Sequence, residues 1–70
     1  MLKISTKDIG EHNFQDWLKK NELEHEEHFK WRVTKEDDII YSFFLFFDKR
    51  WETMAILNFG DIITVCEDFE

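Results

Sequence analysis

The sequence predicts an α+β fold, with one N-terminal helix packed on a four-stranded antiparallel β-meander in a single domain, residues 1–70. Three observations support this. Apolar residues recur at helical spacing around Phe14, and from Phe29 onward apolar and polar residues alternate as they do in half-buried strands. Short polar connectors separate these alternating runs. A chain of 70 residues leaves room for only one domain.

The chain opens with a short strand. Leu2 and Ile4 alternate with Lys3, so the segment Leu2–Ser5 has one apolar face. We expect this segment to pair at an edge of the sheet.

A single helix is predicted over residues 8–21, and its clearest start is Asn13, a favourable N-cap residue. The apolar residues after this cap share one helical stripe: Phe14, Trp17 and Leu18. Ser5 and Asp8 form a weaker capping box further upstream. Asn21 can adopt the left-handed conformation that ends a helix.

Four strands are predicted after the helix, at residues 29–34, 39–47, 52–59 and 62–67. Residues 35–38 are polar and indicate a hairpin turn. Gly60 followed by Asp61 is typical of a type II′ hairpin. Residues 22–28 are compatible with either a helix or a loop.

The run 39–47 is the most apolar segment of the chain, and a strand there has two apolar faces. One face holds Ile39, Tyr41, Phe43, Leu45 and Phe47; the other holds Ile40, Ser42, Phe44 and Phe46. One helix covers only one side of a sheet. We therefore expect the second face to stay uncovered, and we expect Phe44, Phe46 and the nearby Trp51 to contact a partner.

The chain carries 16 acidic and 9 basic residues, a net charge of −7. This charge opposes direct binding to nucleic acid or anionic membranes and favours a basic partner protein. It also keeps an aromatic-rich chain soluble. The candidate partner-binding acids form two poles at opposite ends of the strand 29–34: Glu22, Glu24, Glu26 and Glu27 at one end, and Glu36, Asp37 and Asp38 at the other.

No motif in the sequence indicates catalysis, and we expect no catalytic residue, no cofactor and no metal ligand. The chain has only two glycines, so it lacks a glycine-rich phosphate loop. His25 and His28 are one weak pair, whereas zinc needs three or four ligands. Cys66 is the single cysteine, which suits a reducing compartment. No signal peptide and no membrane-length apolar run is present, so we expect a cytoplasmic protein.

In size, charge and compactness, the chain resembles the small acidic proteins that phages and mobile elements use against host enzymes, among them anti-CRISPR proteins, anti-restriction proteins and polymerase inhibitors. No motif is shared with them. The resemblance implies a non-enzymatic, DNA-mimicking inhibitor that occupies a basic, nucleic-acid-binding surface of another protein. Two alternatives stay open: an immunity protein or antitoxin, and a structural homodimer formed through the aromatic face of the sheet.

Overall fold

The computed structural model describes residues 1–67, which form three helices and a four-stranded sheet. In chain order, the elements are β1 (Leu2–Ser5), α1 (Thr6–Glu11), α2 (Phe14–Lys20), β2 (Phe29–Glu36), β3 (Ile39–Phe46), α3 (Lys49–Phe59) and β4 (Thr64–Val65). The predicted α+β class and the antiparallel sheet are confirmed. None of the helices within residues 1–67 has the length and apolar character needed to cross a membrane.

The strands lie in the order β2-β3-β1-β4, and every neighbouring pair is antiparallel. Only β2 and β3 are joined directly in the chain, so the predicted meander is matched in its first hairpin and not in the rest of its topology. β1 lies between β3 and β4 and is not an edge strand. The element order is β-α-α-β-β-α-β, and with α1 and α2 together in the place of the first helix, this strand order corresponds to the split βαβ, or ferredoxin-like, arrangement.

The predicted helix 8–21 is two helices. Ser5 caps α1, since its hydroxyl accepts a hydrogen bond from the Asp8 amide at 3.1 Å. Asn13 precedes α2, but it adopts a left-handed φ of 57° and its side chain makes no capping hydrogen bond. The chain bends at this residue, so the two short helices pack against the sheet separately.

The predicted strand 52–59 is wrong, because residues Lys49–Phe59 form α3. Trp51, Ala55 and Phe59 are spaced by four residues, and this helical stripe packs against the core. Asp48 caps the helix, since its carboxylate accepts from the Arg50 amide at 2.9 Å. The alternation of apolar and polar residues along this segment was therefore misleading.

The segment that follows α3 also differs from the prediction. Gly60 has a right-handed φ of −53° at the helix C-terminus and does not form the predicted hairpin turn. The predicted strand 62–67 is reduced to the two residues of β4, Thr64–Val65.

The hairpin between β2 and β3 is confirmed. The strands pair in register from Phe29 opposite Phe46 to Glu36 opposite Ile39. Asp37 and Asp38 form the turn, with φ values of 49° and 67°. Positive φ at both central residues is the geometry of a type I′ turn, whose twist matches that of the flanking strands.

The core lies between the sheet and the three helices, all of which pack on the same face. Phe14 is at its centre, with its ring centroid 5.0 Å from those of both Phe44 and Phe59. The buried apolar residues are Leu2, Ile4, Ile9, Phe14, Leu18, Leu23, Phe29, Phe44, Phe46 and Ala55. Tilted and edge-to-face ring pairs of this kind stabilise a core beyond the area that they bury.

Candidate protein-binding surfaces

Two of the three predicted aromatic anchors are buried, and the third is partly exposed. Phe44 and Phe46 are each only 4% exposed, beneath the helices. Trp51 is half-buried, and its ring packs edge-on against Trp17 with centroids 6.0 Å apart. The alternation of β3 separated the two faces correctly, but the assignment of the covered face was wrong. Strand periodicity is the same for both faces, so only the position of the helices decides which face is buried.

The face of the sheet on which none of the described helices packs, hereafter the open face, carries the other set of β3 residues. Tyr41, Phe43 and Leu45 are half-buried along the central strand. The strand register places further residues on the same face as Tyr41, Phe43 and Leu45. They are Lys3, Ser5, Lys30, Arg32, Thr34, Glu36, Ile39 and Thr64. Within residues 1–67, the strands of the open face thus place three cations and one carboxylate beside an aromatic row.

Lys3 on β1 contacts both β2 and β3 on the open face. Its Nζ lies 2.6 Å from the carboxylate of Glu36 and 4.3 Å from the centroid of the Tyr41 ring. The hydrogen bond to Glu36 raises the pKa of the Lys3 ammonium. The side chain thus crosses β3 to join the two strands that flank it, and one of the candidate acids, Glu36, forms an ion pair within the chain.

The β2–β3 hairpin extends past the layer of helices. Its far end, residues 36–40, is named here the hairpin tip. Ile39 and Ile40 point to opposite faces and are 46% and 48% exposed. Between Glu36 and Ile39 lie the carboxylates of Asp37 and Asp38, with Lys35 Nζ 3.7 Å from Asp38. The hairpin tip therefore brings exposed apolar side chains next to acidic groups.

The second acidic pole is a loop and not a helix. Glu22, Glu24, Glu26 and Glu27 are all exposed in the connection between α2 and β2. Hydrogen bonds fix the connection: the Glu26 amide donates to the Phe29 carbonyl at 2.7 Å, and the Glu24 amide donates to Nδ1 of His28 at 3.0 Å. The loop and the hairpin tip lie at opposite ends of β2, about 23 Å apart for eight residues of strand.

The described residues contain one cluster of potential metal ligands, which was not predicted. Ligand atoms of Asp8, Glu11 and His12 lie within 4.8 Å of one another. All three are solvent-accessible, and Lys7 Nζ lies 3.9 Å from the Glu11 carboxylate, where it would compete with a cation.

His25 packs on Phe29 with ring centroids 5.9 Å apart. The expectation that the chain is not an enzyme stays a prediction.

No family model, curated protein or solved structure matches this chain.

Proposed function

We propose that this protein is a non-enzymatic inhibitor of the phage or mobile-element type, which blocks a basic, nucleic-acid-binding surface of another protein in the host cytoplasm. The observation that supports the proposal is the hairpin tip. It places exposed Ile39 and Ile40 beside the carboxylates of Asp37 and Asp38, on a part of the hairpin that the helices do not cover.

Charge and apolar contact have separate roles in this proposal. The net charge of −7 steers the protein toward a basic surface, and this attraction weakens as salt increases. Asp37 and Asp38 then replace phosphates at the target. Ile39 and Ile40 contribute the desolvated contact on which affinity depends, since affinity concentrates in a few buried anchors. The loop acids Glu22, Glu24, Glu26 and Glu27 form a second contact or contribute only to steering.

The turn offers a clean test, because its charge can be removed without disturbing its backbone. Asn-Gly is the strongest type I′ sequence, so Asp37→Asn with Asp38→Gly keeps the geometry and removes two carboxylates. A matched control is Glu24→Gln with Glu27→Gln, which removes two carboxylates from the other pole. Each protein is used as bait in host lysate at 50 and 300 mM salt, with a target identified by mass spectrometry.

We expect the wild type to retain a nucleic-acid-binding protein at 50 mM salt and to release much of it at 300 mM. The turn variant should retain at least about fivefold less, consistent with one or more lost charge contacts. A neutral partner, binding that ignores salt, or a turn variant that binds as well as the wild type would each refute the proposal. Capture of a toxic enzyme would instead identify the protein as an immunity protein or antitoxin.

A second candidate function rests on the open face. Tyr41 and Phe43 lie on its central strand, and Lys3, Lys30 and Arg32 lie on the strands beside them. Aromatic rings between cations are how sheet surfaces bind single-stranded nucleic acid. The overall charge of −7 opposes this function, which is why it ranks second.

Fluorescence anisotropy with labelled single-stranded DNA and RNA oligonucleotides separates the two candidates. The inhibitor proposal expects no binding at micromolar protein. Binding that is lost in Tyr41→Ala and retained in the Asp37→Asn, Asp38→Gly variant would favour the open face and the second candidate.

A further inference from the structure

The two edges of the sheet are very different. β4 forms one edge with only two residues, and very short edge strands are a common way to prevent pairing with other chains. β2 forms the other edge with eight residues, and it contains no proline. Among the described residues, the loop before β2 reaches this edge at Phe29, through the Glu26 amide. From Lys30 to Glu36, no described strand other than β3 pairs with β2.

The hairpin geometry decides which backbone groups point outward from this edge. In a two-residue hairpin, the pair that flanks the turn, here Glu36 and Ile39, exchanges hydrogen bonds. The alternation then directs the even-numbered residues of β2 toward β3. The carbonyl of His28, which accepts from the Phe47 amide at 3.0 Å, fits this alternation. The amides and carbonyls of Trp31, Val33 and Lys35 therefore point away from the sheet.

We propose that two copies of this chain pair through their β2 edges, antiparallel, with the two-fold axis at Val33. In this register Val33 lies opposite Val33 of the second copy, and Trp31 lies opposite Lys35. All three pairs use outward-pointing backbone groups, so about six hydrogen bonds form across the axis. The two sheets then become one continuous sheet of eight strands.

The side chains along β2 are complementary to themselves in this register. Lys30 lies opposite Glu36 of the second copy, and opposite charges across strands stabilise pairing. The stem of Lys35 covers the ring of Trp31 from the other copy. Trp31 and Val33 are 46% and 49% exposed in the single chain, and both become covered. A symmetric interface needs this kind of self-complementarity.

Neighbouring registers give less favourable pairing between the two β2 strands. A two-fold axis at Arg32 sets two guanidinium groups opposite each other and places Lys35 against Phe29, whose carbonyl already accepts from Glu26. An axis at Thr34 leaves only about four backbone hydrogen bonds, because Trp31 then faces the turn. The Val33 register is the one that fits between the loop at one end of β2 and the turn at the other.

The test is the oligomeric state of the purified chain by sedimentation equilibrium and light scattering, from 1 μM to 1 mM. We expect a reversible monomer–dimer equilibrium. Val33→Asp, which places two carboxylates at the axis, should raise the dissociation constant at least about tenfold. Leu57→Asp is the matched control, because Leu57 is 74% exposed on α3 and should leave dimerisation unchanged. Circular dichroism verifies that both variants are folded.

Cross-linking tests the register even if Val33→Asp fails to fold. In a Cys66→Ser background, Val33→Cys places two thiols at the axis, where directly paired Cα atoms are about 5.5 Å apart and can be bridged. In Thr34→Cys, the two thiols are not directly opposite each other, because the cysteine of one copy lies two residues along the strand from the residue that faces the other cysteine. They are then beyond bridging distance. We expect rapid disulfide formation for Val33→Cys and little for Thr34→Cys.

Three outcomes would overturn the proposal. One is a protein that is monomeric at 1 mM, and another is equal cross-linking of the two cysteine variants. The third is a dimer that survives Val33→Asp and is lost in Tyr41→Asp, which would place the interface on the open face.

Discussion

Glu22 ends α2 in a left-handed backbone conformation that glutamate disfavours. It has a left-handed φ of 57°, and its amide donates to the Lys19 carbonyl at 3.0 Å, while the Leu23 amide donates to the Leu18 carbonyl at 2.9 Å. This pair of bonds is the Schellman motif, in which glycine is the usual left-handed residue. The sequence suggested Asn21 for this role, but Asn21 has a φ of −95° and bonds to the helix through its side chain.

We predict that Glu22→Gly stabilises the fold. Glycine removes the steric cost of the left-handed conformation, so the free energy of unfolding should rise by about 1 kcal/mol. Urea denaturation measures it. Glu27→Gly is the control, since Glu27 lies in the same loop at a negative φ and should give a small loss. Equal effects from the two substitutions would contradict this explanation.

At the scale of elements, α3 depends on its cap. The Asp48 carboxylate accepts from the Arg50 amide at 2.9 Å and from the Arg50 guanidinium at 2.7 Å. These hydrogen bonds hold the pKa of Asp48 below its ordinary value. A carboxyl group with a depressed folded-state pKa stabilises the fold above its unfolded-state pKa, and loses this contribution as pH falls through the folded-state pKa.

We predict that Asp48→Asn lowers the melting temperature at pH 7 and that the difference from the wild type shrinks as pH falls from 7 to 3, because the Asp48 carboxylate begins to protonate. The physical reason is that asparagine keeps a capping oxygen but lacks the charge that pairs with Arg50. Thermal unfolding between pH 7 and 3 measures the difference. In Arg50→Gln, the pKa of Asp48 should move up toward its ordinary value in an NMR titration. A difference that persists unchanged at pH 3 would show that the charge is not involved.

At the scale of the whole molecule, all three helices formed by residues 1–67 pack on one face of the sheet, and none of them packs on the other. Phe43 and Phe44 are adjacent, yet Phe44 lies 5.0 Å from the ring of Phe14 in the core, while Phe43 is on the open face. Seven of the 16 acidic residues lie at the hairpin tip and in the loop between α2 and β2, and one of them, Glu36, pairs with Lys3 on the open face. The molecule thus has distinct surfaces for steering, docking and pairing in the proposals above.

We predict opposite outcomes for charges introduced at these neighbours. Phe44→Asp buries an unpaired carboxylate among aromatic rings, which should unfold a domain whose total stability is about 3–5 kcal/mol. Phe43→Asp places the same group on the half-exposed open face and should leave a folded protein. Circular dichroism and amide NMR spectra distinguish the two. A folded Phe44→Asp variant would mean that the helices do not cover this face.

The sequence alone determined the features that depend on local chemistry. These were the α+β class, the strand Leu2–Ser5, the Ser5 cap, the acidic hairpin turn and the two alternating faces of β3. It predicted the acids of the candidate surfaces, Glu36, Asp37 and Asp38, since exposed charges need no tertiary information. It did not predict α3, because residues 51–59 fit both a period of two and a spacing of four.

Only the tertiary structure decided the strand order and the covered face. Strand pairing depends on contacts between distant segments, and no local signal placed β1 in the interior beside β4. The two faces of β3 were equally apolar in sequence, so the choice between Phe43 and Phe44 depended on where the helices pack. α3 occupies the covered face because its stripe of Trp51, Ala55 and Phe59 completes the core around Phe14.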